Sequence, residues 1–229
     1  MTFRLDVSRC TASISSLPSY ALIACGSFSP VTMFHLRLFE DARDSLAANG
    51  AHVTGGFLSP VHDNYAKAGL ARYIDRYNMC RLAVQDSDWI QVSGWEGAQP
   101  SWSRTFDALT AHRDLLATEG FQLKVLLLCG SDLLYAFHDT VVWPPEQVER
   151  ILSNHGIAVV ERAGFDVETV LNEHPILNKY RDSVHRIQQR VVNNISSTLI
   201  RQLISEKRSI KYLIPNGVIN YIKEHRLYQ

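Results

Sequence analysis

The stretch Tyr20–His35, YALIACGSFSPVTMFH, contains the transition that decides the fold. An apolar run, Tyr20–Cys25, ends at Gly26, and an amphipathic helical pattern, Met33–Ala48, opens a few residues later. A strand that passes through a glycine turn into a helix is typical of parallel α/β sheets, which bind ligands beyond the carboxyl ends of their strands. We therefore expect a binding site at the Gly26 turn.

The same alternation of apolar runs and helical patterns continues along the chain. Strands are predicted at Tyr20–Cys25, Val53–Leu58, Trp89–Val92, Leu123–Cys129 and Ile157–Val160, with a sixth within Val184–Val192. Helices are predicted at Met33–Ala48, Arg72–Val84, Trp102–Ala117, from Ile195 onward and at Asn216–His225. The expected fold is α/β, a doubly wound, Rossmann-like parallel sheet with a small helical C-terminal extension. We divide the chain into an N-terminal tail (1–19), a core (20–194) and a helical C-terminal part of the same domain (195–229).

Composition excludes several classes of protein. The 229 residues are 46% hydrophobic and 20% charged, which excludes intrinsic disorder for most of the chain. Lys plus Arg and Asp plus Glu both number 23, and this zero net charge argues against nucleic acid or an anionic membrane as partner. No apolar run approaches the roughly 18 residues of a membrane span.

Cysteine usage and the N-terminus bear on the compartment. The four cysteines are scattered and lack zinc-site spacing, which favours buried thiols in a reducing compartment. The first 19 residues suit a loose tail better than a weak transit segment, and they contain no apolar signal-peptide core. We expect an intracellular protein, in the cytoplasm or nucleus rather than the mitochondrion.

The Gly26 turn carries groups that could bind an anion. Gly26 lets the backbone approach a ligand, and free N–H groups at the start of the next helix attract phosphate. The turn is neither a GxGxxG fingerprint nor a Walker A loop. Thr32 and His35 share one face of the first helical turn, so a hydroxyl and an imidazole could reach the same phosphate. By itself this pair more often means a capping threonine and a surface histidine.

A second candidate anion site lies in the run Asn193–Arg201, NNISSTLIR. Ser196, Ser197 and Thr198 offer hydroxyls and backbone N–H groups at the positive end of a helix. Arg201, one turn later, could bring a planar guanidinium to the same phosphates. The alternative is a capping run with a solvated arginine. Because one chain holds two such turns, a shared polyphosphate site is the favoured interpretation, and we expect the two turns to converge.

Two motifs together resemble those of a known family. They are Gly26-Ser27-Phe28-x-Pro30-x-Thr32-x-x-His35 and Ile195-Ser196-Ser197-Thr198-x-x-Arg201. They resemble the (H/T)xxH nucleotidyltransferases and, more narrowly, the eukaryotic nicotinamide/nicotinate mononucleotide adenylyltransferases. The resemblance covers nearly the whole chain. Further matches, in order, are Ser59-Pro60-Val61, Tyr65-x-Lys67-x-Gly69-Leu70, Trp95-Glu96, Trp102-x-x-Thr105, Gly130-x-Asp132-Leu133-Leu134, Trp143, Arg162-Ala163-Gly164 and Tyr221-Ile222-x-x-His225-x-Leu227-Tyr228.

The resemblance implies an activity and a set of site residues. It implies adenylyl transfer from ATP to nicotinamide or nicotinate mononucleotide, with Mg²⁺ held mainly by the ATP phosphates and no metal ligand from the chain. The implied catalytic residues, which contact the phosphates, are His35, Lys67 and Arg201. The implied ATP and dinucleotide contacts are Gly26, Ser27, Phe28, Thr32, Gly130, Asp132, Leu133, Arg162, Asn193, Ser197 and Thr198. The pyridine ring is implied to lie between Trp102 and Trp143, with Thr105 and Val142 near its amide or carboxylate, and a homo-oligomer is implied.

Physical chemistry is compatible with these roles, although each residue has a plainer interpretation. A pyridinium ring is a flat cation, which two indole faces hold by stacking and cation–π attraction. Tryptophans are nevertheless more often part of a core or a rim. Asp132, just after a strand, suits ribose hydroxyls but could equally cap a helix. Lys67 in a polar loop is by itself a solvated charge.

The chain departs from the family pattern at several positions, and these departures keep other functions open. Ser29 stands where the family has Asn, Ala66 and Ala68 flank Lys67 where lysines are common, and Leu199 replaces a basic residue. One alternative is another (H/T)xxH adenylyl- or cytidylyltransferase, acting on a pantetheine phosphate or a phospho-alcohol. The other is a nucleotide-binding sensor or chaperone with weakened catalysis. The two tryptophans favour an aromatic substrate.

Overall fold

A computed structural model describes residues 3–65, 67–162 and 164–229. Ala66, beside Lys67, and Ala163, within the Arg162–Gly164 match, therefore lie outside the described residues. The strands are β1 (Ser19–Gly26), β2 (His52–Pro60), β3 (Ile90–Val92), β4 (Lys124–Gly130), β5 (Ile157–Val160) and β6 (Val184–Ile187). The helices are α1 (Met33–Ala48), α2 (Tyr73–Ala83), α3 (Thr105–Thr118), α4 (Ser131–Ala136), α5 (Pro145–Asn154), α6 (Val167–Glu173), α7 (Pro175–Lys179), α8 (Ser197–Ser205) and α9 (Asn216–Glu224).

The six predicted strands form one parallel sheet in the order β3-β2-β1-β4-β5-β6. β1 pairs with β2 on one side and with β4 on the other. The strand order therefore reverses at β1 and β4, which is where ligands bind in doubly wound sheets. The α/β, doubly wound, Rossmann-like fold is confirmed, and its C-terminal helices α8 and α9 complete one face.

Apolar residues of successive strand positions cover opposite faces of the sheet. Leu22 and Leu126 pack in the layer of α1, α2, α8 and α9, whereas Ile23 and Leu127 pack in the layer of α3 to α7. This division explains why the strands are continuous apolar runs: both faces are buried. The sheet, buried on both faces, positions the turns at its carboxyl edge.

One predicted helix start differs from the observed one. The pattern predicts a helix from Trp102, but α3 begins at Thr105, because Arg104 has extended backbone angles (φ −71°, ψ 153°) and occupies the N-cap position. Trp102 therefore lies in the segment that leads into the helix. Helices α4 to α7 were not predicted.

The N-terminal segment packs on the sheet along part of its length. Leu5 is buried, and the Arg9 guanidinium donates hydrogen bonds to the carbonyls of Val84 (2.7 Å) and Ile90 (2.8 Å). The Thr11 N–H donates to the Thr54 carbonyl at 2.9 Å. These bonds place residues of the segment against β2 and β3.

Candidate active site

A cavity of about 620 Å³ lies at the carboxyl ends of β1 and β4, where the strand order reverses. Eleven of the predicted site residues line it: Gly26, Ser27, Phe28, His35, Lys67, Trp102, Thr105, Asp132, Leu133, Val142 and Trp143. Its volume lies within the range of small-molecule sites.

His35 lines this cavity as a neutral imidazole with a fixed tautomer. The Thr32 backbone N–H donates a hydrogen bond to His35 Nδ1 at 2.9 Å, and the Thr32 hydroxyl lies 2.9 Å from the same nitrogen. Burial, with a smaller contribution from the Arg162 charge, lowers the pKa of His35 to about 4. Because Nδ1 accepts, the ring proton lies on Nε2, which can donate to a phosphate oxygen.

The turn after β1 is shaped by Gly26 and Phe28. Phe28 has φ 44°, in the left-handed region, and its buried ring contacts His35 edge-on at 5.1 Å between centroids. A Cβ on residue 26 would lie only 3.0 Å from the Phe28 ring. A side chain at residue 26 would therefore crowd the Phe28 ring, which packs against His35.

The start of α8 contacts the turn after β1, as we expected from the two motifs. Ser197 Oγ donates a hydrogen bond to the Pro30 carbonyl at 2.8 Å, and an Arg201 Nη donates to the Ser29 carbonyl at 2.8 Å. The second Arg201 Nη lies 3.4 Å from Thr198 Oγ1. The convergence of the two turns is thus confirmed, although these side chains bond to the turn rather than line the cavity.

The loop that carries Lys67 meets the same region. A Cβ on Gly69 would lie 3.9 Å from Arg201 Nε, so this loop and the arginine are neighbours. Lys67 itself lines the cavity and is exposed. Two of the three predicted catalytic residues, His35 and Lys67, therefore line one cavity, and Arg201 stands beside it.

Asp132 and Arg162 form a pair at the end of β4. Arg162 Nη1 lies 3.7 Å from Asp132 Oδ2, and its guanidinium stacks over the Phe34 ring at 4.3 Å. A Cβ on Gly130 would lie 2.5 Å from Asp132 Oδ1, so glycine makes room for this carboxylate. Arg162 Nε is buried without a hydrogen-bond partner among the described residues.

The two predicted tryptophans pack against different aromatic residues. Trp102 is 39% exposed and lies against Tyr65, with ring centroids 6.0 Å apart. Trp143 packs edge-on against Phe137 at 4.8 Å. Both line the cavity, which is compatible with a planar ligand between them.

Other predicted residues stand outside the cavity lining. They are Thr32, Gly130, Arg162, Asn193, Ser197, Thr198 and Arg201. All but Asn193 support or adjoin the turns described above. Asn193 Oδ1 accepts a hydrogen bond from the Ile195 N–H, so this side chain orders the loop before α8.

Sequence reasoning missed Arg76, the largest fully buried side chain of the described residues. Its guanidinium donates hydrogen bonds to the carbonyls of Ala71 (2.8 Å), Ser27 (3.0 Å) and Val61 (2.8 Å). It also pairs with Asp63 at 3.1 Å. Arg76 therefore joins the turn after β1 to both ends of the loop that carries Lys67.

Glu96 and Arg104 also line the cavity and were not predicted as site residues. Glu96 is buried and accepts a hydrogen bond from Ser59 Oγ at 2.7 Å. Burial raises the pKa of Glu96 to about 7. The Trp95-Glu96 match was the available signal for this residue, whereas Arg104 had none beyond its place beside Thr105.

Among residues 3–65, 67–162 and 164–229, no group of three or more His, Cys, Asp and Glu side chains is arranged to hold a metal ion. No helix in that part of the chain has the length and apolar character needed to span a membrane. All four cysteines are free thiols.

The chain is similar to known proteins over most of its length. A model of the cytidylyltransferase-like family matches residues 23–203. The nicotinamide/nicotinic acid mononucleotide adenylyltransferase of Arabidopsis thaliana is 44% identical over 211 residues, which cover 90% of this chain and 89% of that protein. The enzyme of the same name numbered 1 in Bos taurus is 34% identical, over 90% of this chain and 88% of that protein.

A crystal structure from Vibrio parahaemolyticus, which carries the name nicotinate-nucleotide adenylyltransferase, has the same fold. It superposes with a TM-score of 0.56 at 16% identity and covers 93% of this chain and 96% of that chain. At this level of identity the likeness supports the architecture alone.

Proposed function

Because the chain belongs to the cytidylyltransferase-like family, and within it to the nicotinamide/nicotinic acid mononucleotide adenylyltransferases, we propose that it transfers the adenylyl group of ATP to a pyridine mononucleotide. The products are NAD, or its deamido form, and pyrophosphate. The observation that carries this proposal is the contact between the α8 turn and the turn after β1, beside a cavity that two tryptophans line.

The reaction needs no protein nucleophile. The phosphate of the mononucleotide attacks the α-phosphorus of ATP, the bond from that phosphorus to the bridging oxygen breaks, and pyrophosphate leaves. A phosphate dianion is already nucleophilic, so catalysis consists of positioning the reactants and stabilising charge. A site that lacks an activated serine or cysteine can therefore perform it.

Three side chains stabilise charge in this proposal. His35 donates from Nε2 to a phosphate oxygen, which its neutral state and fixed tautomer allow. Lys67 brings a full positive charge from the loop. Arg201 uses one Nη to hold the Ser29 carbonyl and presents the rest of its guanidinium to the leaving pyrophosphate.

The remaining residues bind and orient the substrates. Trp102 and Trp143 hold the pyridinium ring, with Thr105 and Val142 near its substituent. Asp132, positioned by Arg162, accepts from ribose hydroxyls. Backbone and side-chain groups that surround the phosphates are supplied by Gly26, Ser27, Phe28, Thr32, Gly130, Leu133, Asn193, Ser197 and Thr198.

Mg²⁺ is the metal proposed for this reaction. In the part of the chain that the structure describes, two carboxylates line the cavity, Glu96 and Asp132, and Glu96 is buried against Ser59. This donor set suits a Mg²⁺ that arrives with ATP and keeps phosphate and water ligands. When bound, the ion neutralises phosphate charge and orients the leaving group.

We also propose that residues 195–229 belong to the same domain as the core, because α8 is hydrogen-bonded to the turn after β1. A cytoplasmic or nuclear location is supported by the four free thiols, which suit a reducing compartment. A homo-oligomer stays a prediction from the resemblance.

A single assay tests the activity. Protein is mixed with ATP, Mg²⁺ and nicotinamide mononucleotide, and NAD formation is followed. The reaction is then repeated with nicotinate mononucleotide and with a pantetheine phosphate. Product from a pyridine mononucleotide supports the proposal, and product from the pantetheine phosphate alone would assign the other transferase class. Binding of NAD without turnover would indicate a sensor.

A further inference from the structure

Among the residues that the structure describes, four charged side chains line the active-site cavity, and the proposed mechanism gives one of them no role. They are Lys67, Glu96, Arg104 and Asp132. Lys67 is assigned to the ATP phosphates, Asp132 pairs with Arg162, and Glu96 is buried against Ser59. The guanidinium of Arg104 is the charge that remains to be explained.

Arg104 stands next to the proposed binding site of the pyridine ring. It is the residue before Thr105 at the start of α3, and its guanidinium carbon lies 5.8 Å from the centre of the Trp102 ring. The side chain is exposed toward solvent and the cavity. Among the residues that the structure describes, no carboxylate lies within ion-pair distance of it.

We propose that Arg104 is a specificity-determining residue that favours nicotinate mononucleotide over nicotinamide mononucleotide. This inference rests on the proposed function, because it takes the ring to lie against Trp102. The two substrates differ only in the ring substituent, which is a carboxylate in one and a neutral amide in the other. A guanidinium matches a carboxylate with two parallel hydrogen bonds and opposite charge, whereas an amide offers it one uncharged oxygen.

Besides Asp132, which pairs with Arg162, Glu96 is a carboxylate in the described cavity lining that could oppose this preference. It is buried, and its oxygen already accepts from Ser59 Oγ. Because burial raises the pKa of Glu96 to about 7, much of this carboxyl is protonated at neutral pH. Its repulsion of a ring carboxylate is therefore reduced, and the positive charge of Arg104 dominates.

The test is the ratio of kcat/KM for nicotinate mononucleotide to kcat/KM for nicotinamide mononucleotide, at saturating ATP and Mg²⁺. We expect Arg104→Gln to lower this ratio by about tenfold, because the charge is lost at an exposed site while the glutamine amide can still donate one of the two hydrogen bonds. Arg104→Lys keeps the charge without the planar guanidinium, so its ratio should lie between those of wild type and Arg104→Gln. Arg104→Glu should lower the ratio further. The matched control is Arg113→Gln, because Arg113 lies on the same helix and pairs with Asp114 outside the cavity.

The outcomes separate this inference from the proposed function. Product from both mononucleotides with an equal ratio in wild type and Arg104→Gln overturns the inference and leaves the function intact. An equal loss for both substrates also overturns it, because a general binding role would explain that result. If no product forms with either, the function fails, and the dissociation constants of the two mononucleotides, followed by tryptophan fluorescence, test the same ratio. A ratio that falls with rising ionic strength in wild type but not in Arg104→Gln supports a charge interaction.

Discussion

At the scale of single residues, the site depends on side chains whose protonation state is set by burial. His35 is neutral because transfer of its charged form into the cavity wall is unfavourable, and the Thr32 N–H fixes which nitrogen carries the proton. A neutral donor can bind a phosphate without a protonation step. In the proposed mechanism we therefore expect the His35 imidazole to donate to phosphate over a wide range of pH.

His35→Ala should therefore affect turnover far more than mononucleotide binding. We expect kcat to fall by about 10²–10³-fold, as for other single donors to developing negative charge, while the dissociation constant of the mononucleotide changes little. Because the pKa of His35 is lowered to about 4, the wild-type kcat should show no acid limb from this residue near neutral pH. Steady-state kinetics and equilibrium binding measure both effects. His52→Ala, at the opposite end of the sheet, is the control, and equal losses in kcat and in binding would contradict the role.

Arg76 is a buried guanidinium that holds two loops together through its hydrogen bonds. Arg76→Met removes three hydrogen bonds to loop carbonyls and leaves those oxygens without donors, so we expect a loss of about 3 kcal/mol in the free energy of unfolding. Denaturant unfolding measures this loss. Arg81→Met on the same helix should change the value by less than about 0.5 kcal/mol, because Arg81 is exposed. Similar losses in the two variants would refute the anchoring role.

At the scale of elements, the strands and most of the longer helices were readable from the sequence, whereas the ten-residue α5 and the shorter α4, α6 and α7 were missed. The bounds of β5 and α1 match the prediction. A strand that is buried on both faces gives a continuous apolar run, and a helix that is buried along one stripe gives a periodic apolar pattern, so both are clear in the sequence. Helices α6 and α7 have seven and five residues, too few for a periodic pattern to emerge. Their helical state comes from tertiary packing.

The site residues also divide into those that a local sequence motif identifies and those that only the tertiary structure brings together. His35 and Arg201 lie in local motifs, so the sequence placed them at two helix starts, and the structure brought these starts together. Arg76 bonds to Ser27, which is 49 positions away, and Glu96 meets Ser59 across 37 positions. No local pattern encodes contacts of that range. Buried polar anchors are therefore the part of the site that only the fold reveals.

Tyr228, which follows α9, is hydrogen-bonded to the turn that bears Ser29. Tyr228 and Ser29 share a hydrogen bond at 2.8 Å between their hydroxyls, and Ser29 Oγ also accepts the Ala71 N–H at 3.1 Å. The Ser29 carbonyl in turn accepts from Arg201. A displacement of Tyr228 would therefore shift the turn at Ser29 and, through it, Arg201, which we assign to the ATP triphosphate.

Tyr228→Phe should weaken this connection without removing the ring. We expect about 1 kcal/mol of lost stability and a rise of about fivefold in KM for ATP, with a smaller change for the mononucleotide. Thermal unfolding and substrate titrations give both values. Tyr212→Phe is the matched control, because Tyr212 is 83% exposed. An equal rise in both KM values would argue against a specific link to Arg201.

At the scale of the whole molecule, buried titratable groups set how stability depends on pH. Burial is the leading cause of a lowered pKa for five histidines: His35, His112, His155, His174 and His185. The unfolded chain therefore binds more protons than the native state between about pH 6.5 and pH 4, and stability falls as the pH falls through this window. Glu96 acts in the opposite sense, because its pKa is raised to about 7 and its proton is retained in the native state.

The substitution Glu96→Gln separates the contribution of Glu96 to the pH dependence of stability from that of the histidines. For wild type we expect the melting temperature to fall from about pH 7 to about pH 5, since several histidines outweigh one glutamate. The contribution of Glu96 is fully present below its unfolded pKa and is lost as pH rises through about 7, when the buried carboxyl must ionise. The melting temperature of Glu96→Gln minus that of wild type should therefore increase with pH between about pH 5 and about pH 8. Calorimetric scans of both proteins across this range measure the difference. A difference that is constant with pH would show that Glu96 ionises in the native state as it does in the unfolded chain, and the buried, protonated carboxyl inferred at the cavity wall would then be wrong.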